Sequence, residues 1–194
     1  MDRKMDIVCS QIDRILEEYQ NKSEGSNTPI LVAIDGMCAS GKSTLGNCLK
    51  EKYQCNLFHM DDFFLRPEQR TEERLEQAGG NIDYERFEKE IIRHLSDREG
   101  LVYQRYNCGR KVLEEKTEVP YCLLNIIEGA YSQHPYFGDI YNLRFFLSIS
   151  FEEQKQRILV RDGKEKLERF LAEWIPMENR YFEEYQIRSH SICL

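Results

Sequence analysis

The chain of 194 residues predicts an α/β fold: a mainly parallel sheet with helices on both faces. Two observations carry that prediction. Short apolar segments alternate along the chain with segments whose apolar residues recur every three or four positions, the periods of buried strands and of helices. A glycine-rich loop also joins the first such strand directly to a helix. The length suits one domain, residues 1–194, and no internal repeat, low-complexity tract or linker divides it.

Met5, Val8, Ile12, Ile15, Leu16 and Tyr19 recur at helical spacing, so residues 1–21 read as an amphipathic helix. Asn21 to Pro29 is polar, holds Gly25, Ser26 and Asn27, and reads as a loop; Ile30 to Ile34 follows as a buried strand. Lys42 to Tyr53 is helical in pattern, and Cys55 to Met60 is a second short strand, ended by Asp61-Asp62. Phe63 to Ile82, with Pro67, Gly79, Gly80 and many charges, reads as irregular and exposed, and segments this long without regular structure usually serve function. Tyr84, Phe87, Ile91 and Leu95 mark a helix. Leu101 to Tyr106 and Val112 to Val119 flank the turn-like Asn107-Cys108-Gly109 as a hairpin. Tyr121 to Ile127 and Leu143 to Ile149 are two more strands; Phe151 to Leu171 and Glu173 to Ile187 are charged, largely helical segments.

Composition narrows the function. With 27 basic and 34 acidic residues the net charge is −7, which opposes attraction to a nucleic-acid backbone, so nucleic acid is not an expected partner. The longest apolar run, Ile30 to Ile34, is far short of the ~20 residues of a membrane span, and no membrane association is expected. Met1-Asp2-Arg3-Lys4-Met5-Asp6 leads into no apolar signal core, so the expected location is the cytoplasm. Seven cysteines without a C-x-x-C pair, Cys9, Cys48 and Cys122 among them in apolar patterns, read as reduced packing residues rather than a zinc or disulfide framework. His59, His94, His134 and His190 show no metal-ligand spacing and read as structural. Charge runs such as Glu72-Glu73-Arg74 read as solvent faces.

The chemistry starts at Gly36-Met-Cys-Ala-Ser-Gly41-Lys42-Ser43, a match to G-x-x-x-x-G-K-[ST] between a strand and a helix. Such a loop curls so that backbone N–H groups point at phosphate oxygens, and the helix N-terminus adds partial positive charge. Gly36, Ala39, Ser40, Gly41, Lys42, Ser43 and Thr44 are therefore candidate nucleotide contacts, with Lys42 on the β- and γ-phosphates and Ser43 on Mg2+. Asp61 ends the second strand, at the edge where parallel sheets bind ligands, and can accept a hydroxyl proton there; Asp62 is the weaker candidate. Glu128 ends another strand and can hold Mg2+, directly or through water. Arg157 and Arg161 share a helix face and suit a mobile lid over the phosphates, with Arg161 on the transferred group.

Together, Ile34 to Thr44, His59 to Phe64, Asn81-Ile82-Asp83, Ile127 to Gly129 and Arg157-x-x-x-Arg161-Asp162 resemble the uridine kinase and phosphoribulokinase family of P-loop kinases over nearly everything after the first helix. The resemblance implies a P-loop NTPase fold of the nucleotide-kinase kind, with a five-stranded, mainly parallel sheet and a small β-hairpin over the acceptor site. It implies an acceptor-binding insertion at residues 61–120 and a lid at 157–170. It further implies that Asp61 orients and deprotonates the acceptor hydroxyl, that Asp83 hydrogen-bonds the acceptor, and that Tyr106 on the hairpin covers it. This chain departs from the family where Tyr-Asp becomes Tyr106-Asn107, where no histidine follows before Arg110, and where Asp162-Gly163-Lys164 replaces an arginine-rich lid.

The expected activity is phosphoryl transfer from ATP, with Mg2+, to a hydroxyl of a small molecule. A nucleoside such as uridine or cytidine is the first choice and pantothenate or nicotinamide riboside the alternatives. From a different class comes a regulatory NTPase or GTP-binding switch, but no N-K-x-D follows the phosphate loop. The expected partners are ATP and the small acceptor, with assembly of identical subunits left open.

Overall fold

The structure, a computed structural model, describes residues 2–22 and 28–194. Its strands are β1 Ile30–Gly36, β2 Asn56–His59, β3 Leu101–Asn107, β4 Val112–Val119, β5 Leu124–Glu128, β6 Leu143–Leu147 and β7 Ile192–Cys193. Its α-helices are α1 Asp2–Lys22, α2 Lys42–Tyr53, α3 Glu72–Leu75, α4 Tyr84–Glu90, α5 Phe151–Asp162, α6 Lys164–Arg169 and α7 Ile175–Glu184. Among the described residues, five strands form a parallel sheet in the order β2-β5-β1-β6-β7, while β3 and β4 pair antiparallel as a separate hairpin.

Alternation along β1 explains the two layers. Ile30, Val32 and Ile34 face α1 and α2, packing with Val8, Ile12, Leu45 and Leu49. Leu31 and Ala33 point to the other face, toward Phe58, Phe63, Phe87 and Tyr103. Every residue of β1 is buried, as expected of the central strand of a parallel sheet covered on both faces. Phe58, Phe63, Phe87, Phe145 and Phe146 are fully buried, each contributing about 1.5–3 kcal/mol of apolar burial. Tyr103 stacks near Phe63 at 5.8 Å between ring centroids and meets Phe58 edge-on at 5.9 Å, which seats the hairpin on the sheet.

Several segments differ from the sequence reading. Helix α1 continues through Asn21 and Lys22; the rest of the loop read there falls in part on residues 23–27, which with Met1 lie outside the described residues. The segment from Phe63 to Ile82 is not uniformly exposed: Phe63, Leu65, Ala78, Gly79, Gly80 and Ile82 are buried. Arg74 is the reason. It stacks 3.8 Å over the Tyr84 ring, pairs with Glu85 at 2.7 Å, and donates to the Gly80 and Ile82 carbonyls, so it clamps the segment rather than facing solvent. Strand β7 has two residues and no alternation by which to read it. The charged C-terminal segments break at Gly163, where φ is 83°, and a π-helical turn, Phe170–Trp174, joins α6 to α7. All seven cysteines are free thiols; Cys9, Cys38 and Cys55 are buried, as the packing reading requires, but Cys108 and Cys193 are exposed. Among the described residues no helix is long and apolar enough to cross a membrane.

Candidate active site

Because β1, β2 and β5 run parallel, their carboxyl ends deliver Gly36, Asp61 and Glu128 to one edge. There Asp61 and Glu128 border a cavity of about 920 Å³ with Cys38 to Thr44 of the loop that Gly36 begins. Gly36 has φ 138°, and a Cβ there would stand 2.2 Å from the Leu147 carbonyl oxygen, so only glycine lets the chain turn out of the sheet. Three side chains on two helices, α5 and α7, then hold the loop from outside. Glu178 Oε2 on α7 accepts the Cys38 N–H at 2.9 Å, Gln154 Nε2 on α5 donates to the Cys38 carbonyl at 3.1 Å, and Arg157 donates to the Ala39 carbonyl at 3.0 Å. Lys42 Nζ donates to the carbonyls of Gly36 at 2.7 Å and Met37 at 2.9 Å, spanning the loop. The first turn of α2 carries no acidic side chain, so its N–H groups and positive end face the cavity uncompensated. Burial, reinforced by the charge of Glu178, pushes the Cys38 thiol up to about 12, which makes it packing and not a nucleophile.

The acidic side of the cavity is built by strand register. His59 and Glu128 are direct partners across β2 and β5, and His59 Nδ1 lies 2.5 Å from Glu128 Oε1. Glu128 is buried at 4% exposure; its hydrogen bond raises the His59 pKa above the ordinary value. Asp61 sits on the 3-10 turn Met60–Phe63 with its carboxylate open to the cavity. The surrounding protein strips water from it and raises its pKa; Lys42 pulls the value back, Glu128 adds to the rise, and His59 and Arg161 oppose it. Asp61 thus shares one electrostatic site with Lys42, Glu128 and Arg161. Arg161 and Arg157 line the same cavity, each held on its own helix by a carboxylate, Asp162 at 2.7 Å and Glu153 at 2.6 Å. Beyond them, Phe170 and Trp174 meet edge-on at 4.4 Å, with Arg169 over Trp174.

Three sequence-predicted residues are not brought to this wall: Gly36, the buried last residue of β1, Asp83 and Tyr106. Asp83 is 2% exposed and caps α4: one oxygen accepts the Arg86 N–H at 3.1 Å and the other accepts from Gln69 at 2.8 Å. It borders a separate hollow of about 430 Å³ with Gln69, Arg74 and Glu85. Tyr106 is 5% exposed within β3 and is not part of the cavity lining. Conversely, Glu178, Tyr131, Arg70, Asn81 and Lys111 do line the cavity. Of these only Asn81 carried a sequence signal, as a neighbour of Asp83 in its motif; the others sit in charged or irregular stretches without a motif. Asn107, where the family pattern has Asp, braces the hairpin turn: its Oδ1 accepts the Arg110 N–H at 2.9 Å and its Nδ2 donates to Glu114 at 2.9 Å.

No protein-family model and no curated protein sequence matches the chain. Solved structures do. A possible uridine kinase from Bacillus stearothermophilus superposes with a TM-score of 0.65 at 19% identity, over 96% of this chain and 98% of that one. A candidate fructose transport system kinase from Silicibacter sp. TM1040 gives 0.69 at 20% identity, over 97% and 95%. D-glycerate 3-kinase from Cryptococcus neoformans gives 0.63 at 15% identity, over 91% and 86%. The chain therefore has the α/β fold of the P-loop kinases, as the motifs led one to expect.

Proposed function

We propose that the protein transfers the γ-phosphoryl group of ATP to a hydroxyl of a small molecule. One observation carries this reading: a carboxylate, Asp61, faces the same cavity as the phosphate loop and is electrostatically coupled to Lys42. Lys42, the N-terminus of α2 and Arg161 bind and orient the triphosphate and offset the charge that gathers on its γ-oxygens. Asp61 takes the proton of the attacking hydroxyl as the new O–P bond forms and the bond to the ADP leaving group breaks. Arg157 ties α5 to the loop, which supports reading residues 157–170 as the lid.

Ser43 hydroxyl and Glu128 carboxylate are oxygen donors on the cavity wall, the donor chemistry a hard divalent cation takes. Among the described residues no group of three or more His, Cys, Asp or Glu forms a metal cage, so Mg2+ would be shared with the nucleotide phosphates and reach the site with them. When bound, it would neutralise phosphate charge.

The nucleoside reading leans on Asp83 and Tyr106, whose side chains serve the α4 cap and the hairpin interior; the acceptor is better sought from the residues that line the cavity. The experiment is ADP release from Mg-ATP by the purified chain, with and without uridine, cytidine, pantothenate, nicotinamide riboside and other hydroxyl compounds. Stimulation by an acceptor over slow basal hydrolysis is the expected result. Fast hydrolysis that no acceptor alters would instead favour the regulatory NTPase.

A further inference from the structure

The cavity is lined, besides the phosphate loop, by Phe64, Arg70 and Asn81 from the segment after β2 and by Cys108 and Lys111 from the hairpin turn. The two cations of this group, Arg70 and Lys111, differ from the arginines around them. Net charge is −7, and arginines near the site are paired: Arg66 with Glu68, Arg74 with Glu85, Arg86 with Glu90, Arg105 and Arg110 with Glu114. Arg70 and Lys111 have no carboxylate partner among the described residues.

Both are held in place by the backbone around them. Arg70 follows the 3-10 turn Pro67–Gln69, and its Nε donates to the Leu65 carbonyl at 3.1 Å, which aims the guanidinium and leaves both terminal nitrogens without a partner among the described residues. Lys111 closes the hairpin turn at φ 57°, a left-handed conformation, beside a turn that Asn107 braces and whose two arginines Glu114 already occupies. Cys108, on the same turn, lines the cavity together with Arg70 and Asp61, so the cation and the carboxylate border one space. A third group points the same way: Asn81 Oδ1 is buried with no hydrogen-bond partner among the described residues, an acceptor open to a donor such as a hydroxyl.

From this arrangement we infer that the phosphoryl acceptor is an anionic hydroxyl compound, its carboxylate or phosphate held by Arg70 and Lys111, a hydroxyl of it by Asn81 and another presented to Asp61. The donor phosphates have their own cations in Lys42, Arg157 and Arg161, so these two are not required for ATP. A neutral nucleoside would leave both unpaired beside it. Arg70 offers a planar fork to two oxygens and Lys111 a point charge, the pairing that suits either anion.

The inference rests on the phosphotransfer reading but is tested by binding. The full chain, saturated with Mg-ADP, is titrated calorimetrically and through the fluorescence of Trp174, its single tryptophan and a cavity residue. The probes are glycerate and pantothenate for carboxylates, glycerol phosphate for phosphates, and glycerol, panthenol and uridine as neutral counterparts. An anionic probe should bind where its neutral counterpart does not, and the carboxylate and phosphate arms tell which anion is preferred. R70A and K111A, checked for folding by circular dichroism, should each weaken that binding by about 10- to 100-fold, with partial recovery in R70K. D61N should keep binding and lose turnover. The inference is overturned if no anionic probe binds, if a neutral probe binds as tightly, or if R70A and K111A leave binding unchanged. Anion binding without any ADP release in wild type would sink the phosphotransfer reading alone; uridine-stimulated release indifferent to Arg70 and Lys111 would sink this inference alone.

Discussion

His59 on β2 and Glu128 on β5 stand opposite each other in neighbouring parallel strands, and Nδ1 and Oε1 meet at 2.5 Å at the edge where the phosphate loop begins. The pair links a half-exposed imidazole to a buried carboxylate, so one side of the site is fixed by register rather than by a loop.

The direction of the His59 shift sets a pH dependence. Its pKa is raised by the hydrogen bond to Glu128 from an ordinary 6.5. The pair therefore contributes fully to stability below that ordinary value and less as pH rises through the higher folded-state value. In metal-free buffer, H59N should lower the urea midpoint more at about pH 6 than at about pH 9. An equal loss at both would mean that the pair is not charged in the folded state.

Asp35 predicts a slope of the same sign in a more acidic window. It is fully buried and accepts from the Gly36 N–H, the Gln133 N–H and the Tyr181 hydroxyl, yet burial outweighs these bonds and lifts its pKa from 3.8 to about 6. The folded state binds the proton more tightly, so the contribution of Asp35 falls as pH climbs from about 4 to about 6. Unfolding free energies of wild type and D35N should converge over that range. A gap that stays constant would show that Asp35 does not titrate there.

Glu178 is predicted to act through the loop it holds. E178A leaves the buried Cys38 N–H without its acceptor, at a cost of about 1–3 kcal/mol, and loosens Mg-ATP binding. E178Q keeps an acceptor oxygen in place and should recover most of both. Denaturant unfolding and nucleotide titration of the two variants provide the comparison; identical behaviour would remove Glu178 from the loop's support.

Glycine replacements separate a steric limit from a conformational one. At Gly36 a methyl group meets the Leu147 carbonyl at 2.2 Å, whereas at Gly163, φ 83°, nothing lies within 4 Å. G36A should cost at least about 2 kcal/mol and abolish nucleotide binding, while G163A should cost only the ~1–2 kcal/mol of a left-handed residue. Thermal unfolding of both variants checks the ranking.

What could be read from the sequence follows the range over which each signal acts. Helix α2 has the bounds its pattern gave, Lys42–Tyr53, because strand, loop and helix are contiguous and the motif fixes their junctions. The hairpin was legible from its turn, and Ile30–Ile34 from its continuous apolar run. Glu178 was not legible, since it meets Cys38 across 140 residues from within a charged helix that has its own local explanation. Asp83 carried two signals at once: the family pattern pointed to the acceptor, while an Asp directly before Tyr84, Phe87 and Ile91 is also a helix N-cap, and the structure shows the cap. Arg70 and Lys111 each lie in stretches rich in charge, where only the folded arrangement separates a paired cation from an unpaired one.

The central claim is that phosphate leaves ATP for an acceptor hydroxyl with Asp61 as base. Its most direct test is to follow a labelled γ-phosphate from Mg-ATP with wild type and D61N in the presence of the acceptor that stimulates ADP release. The account predicts label on the acceptor in amounts equal to ADP, with turnover reduced by about 100- to 10,000-fold in D61N. Label released as inorganic phosphate at the same rate with and without acceptor, or transfer unchanged in D61N, would contradict it.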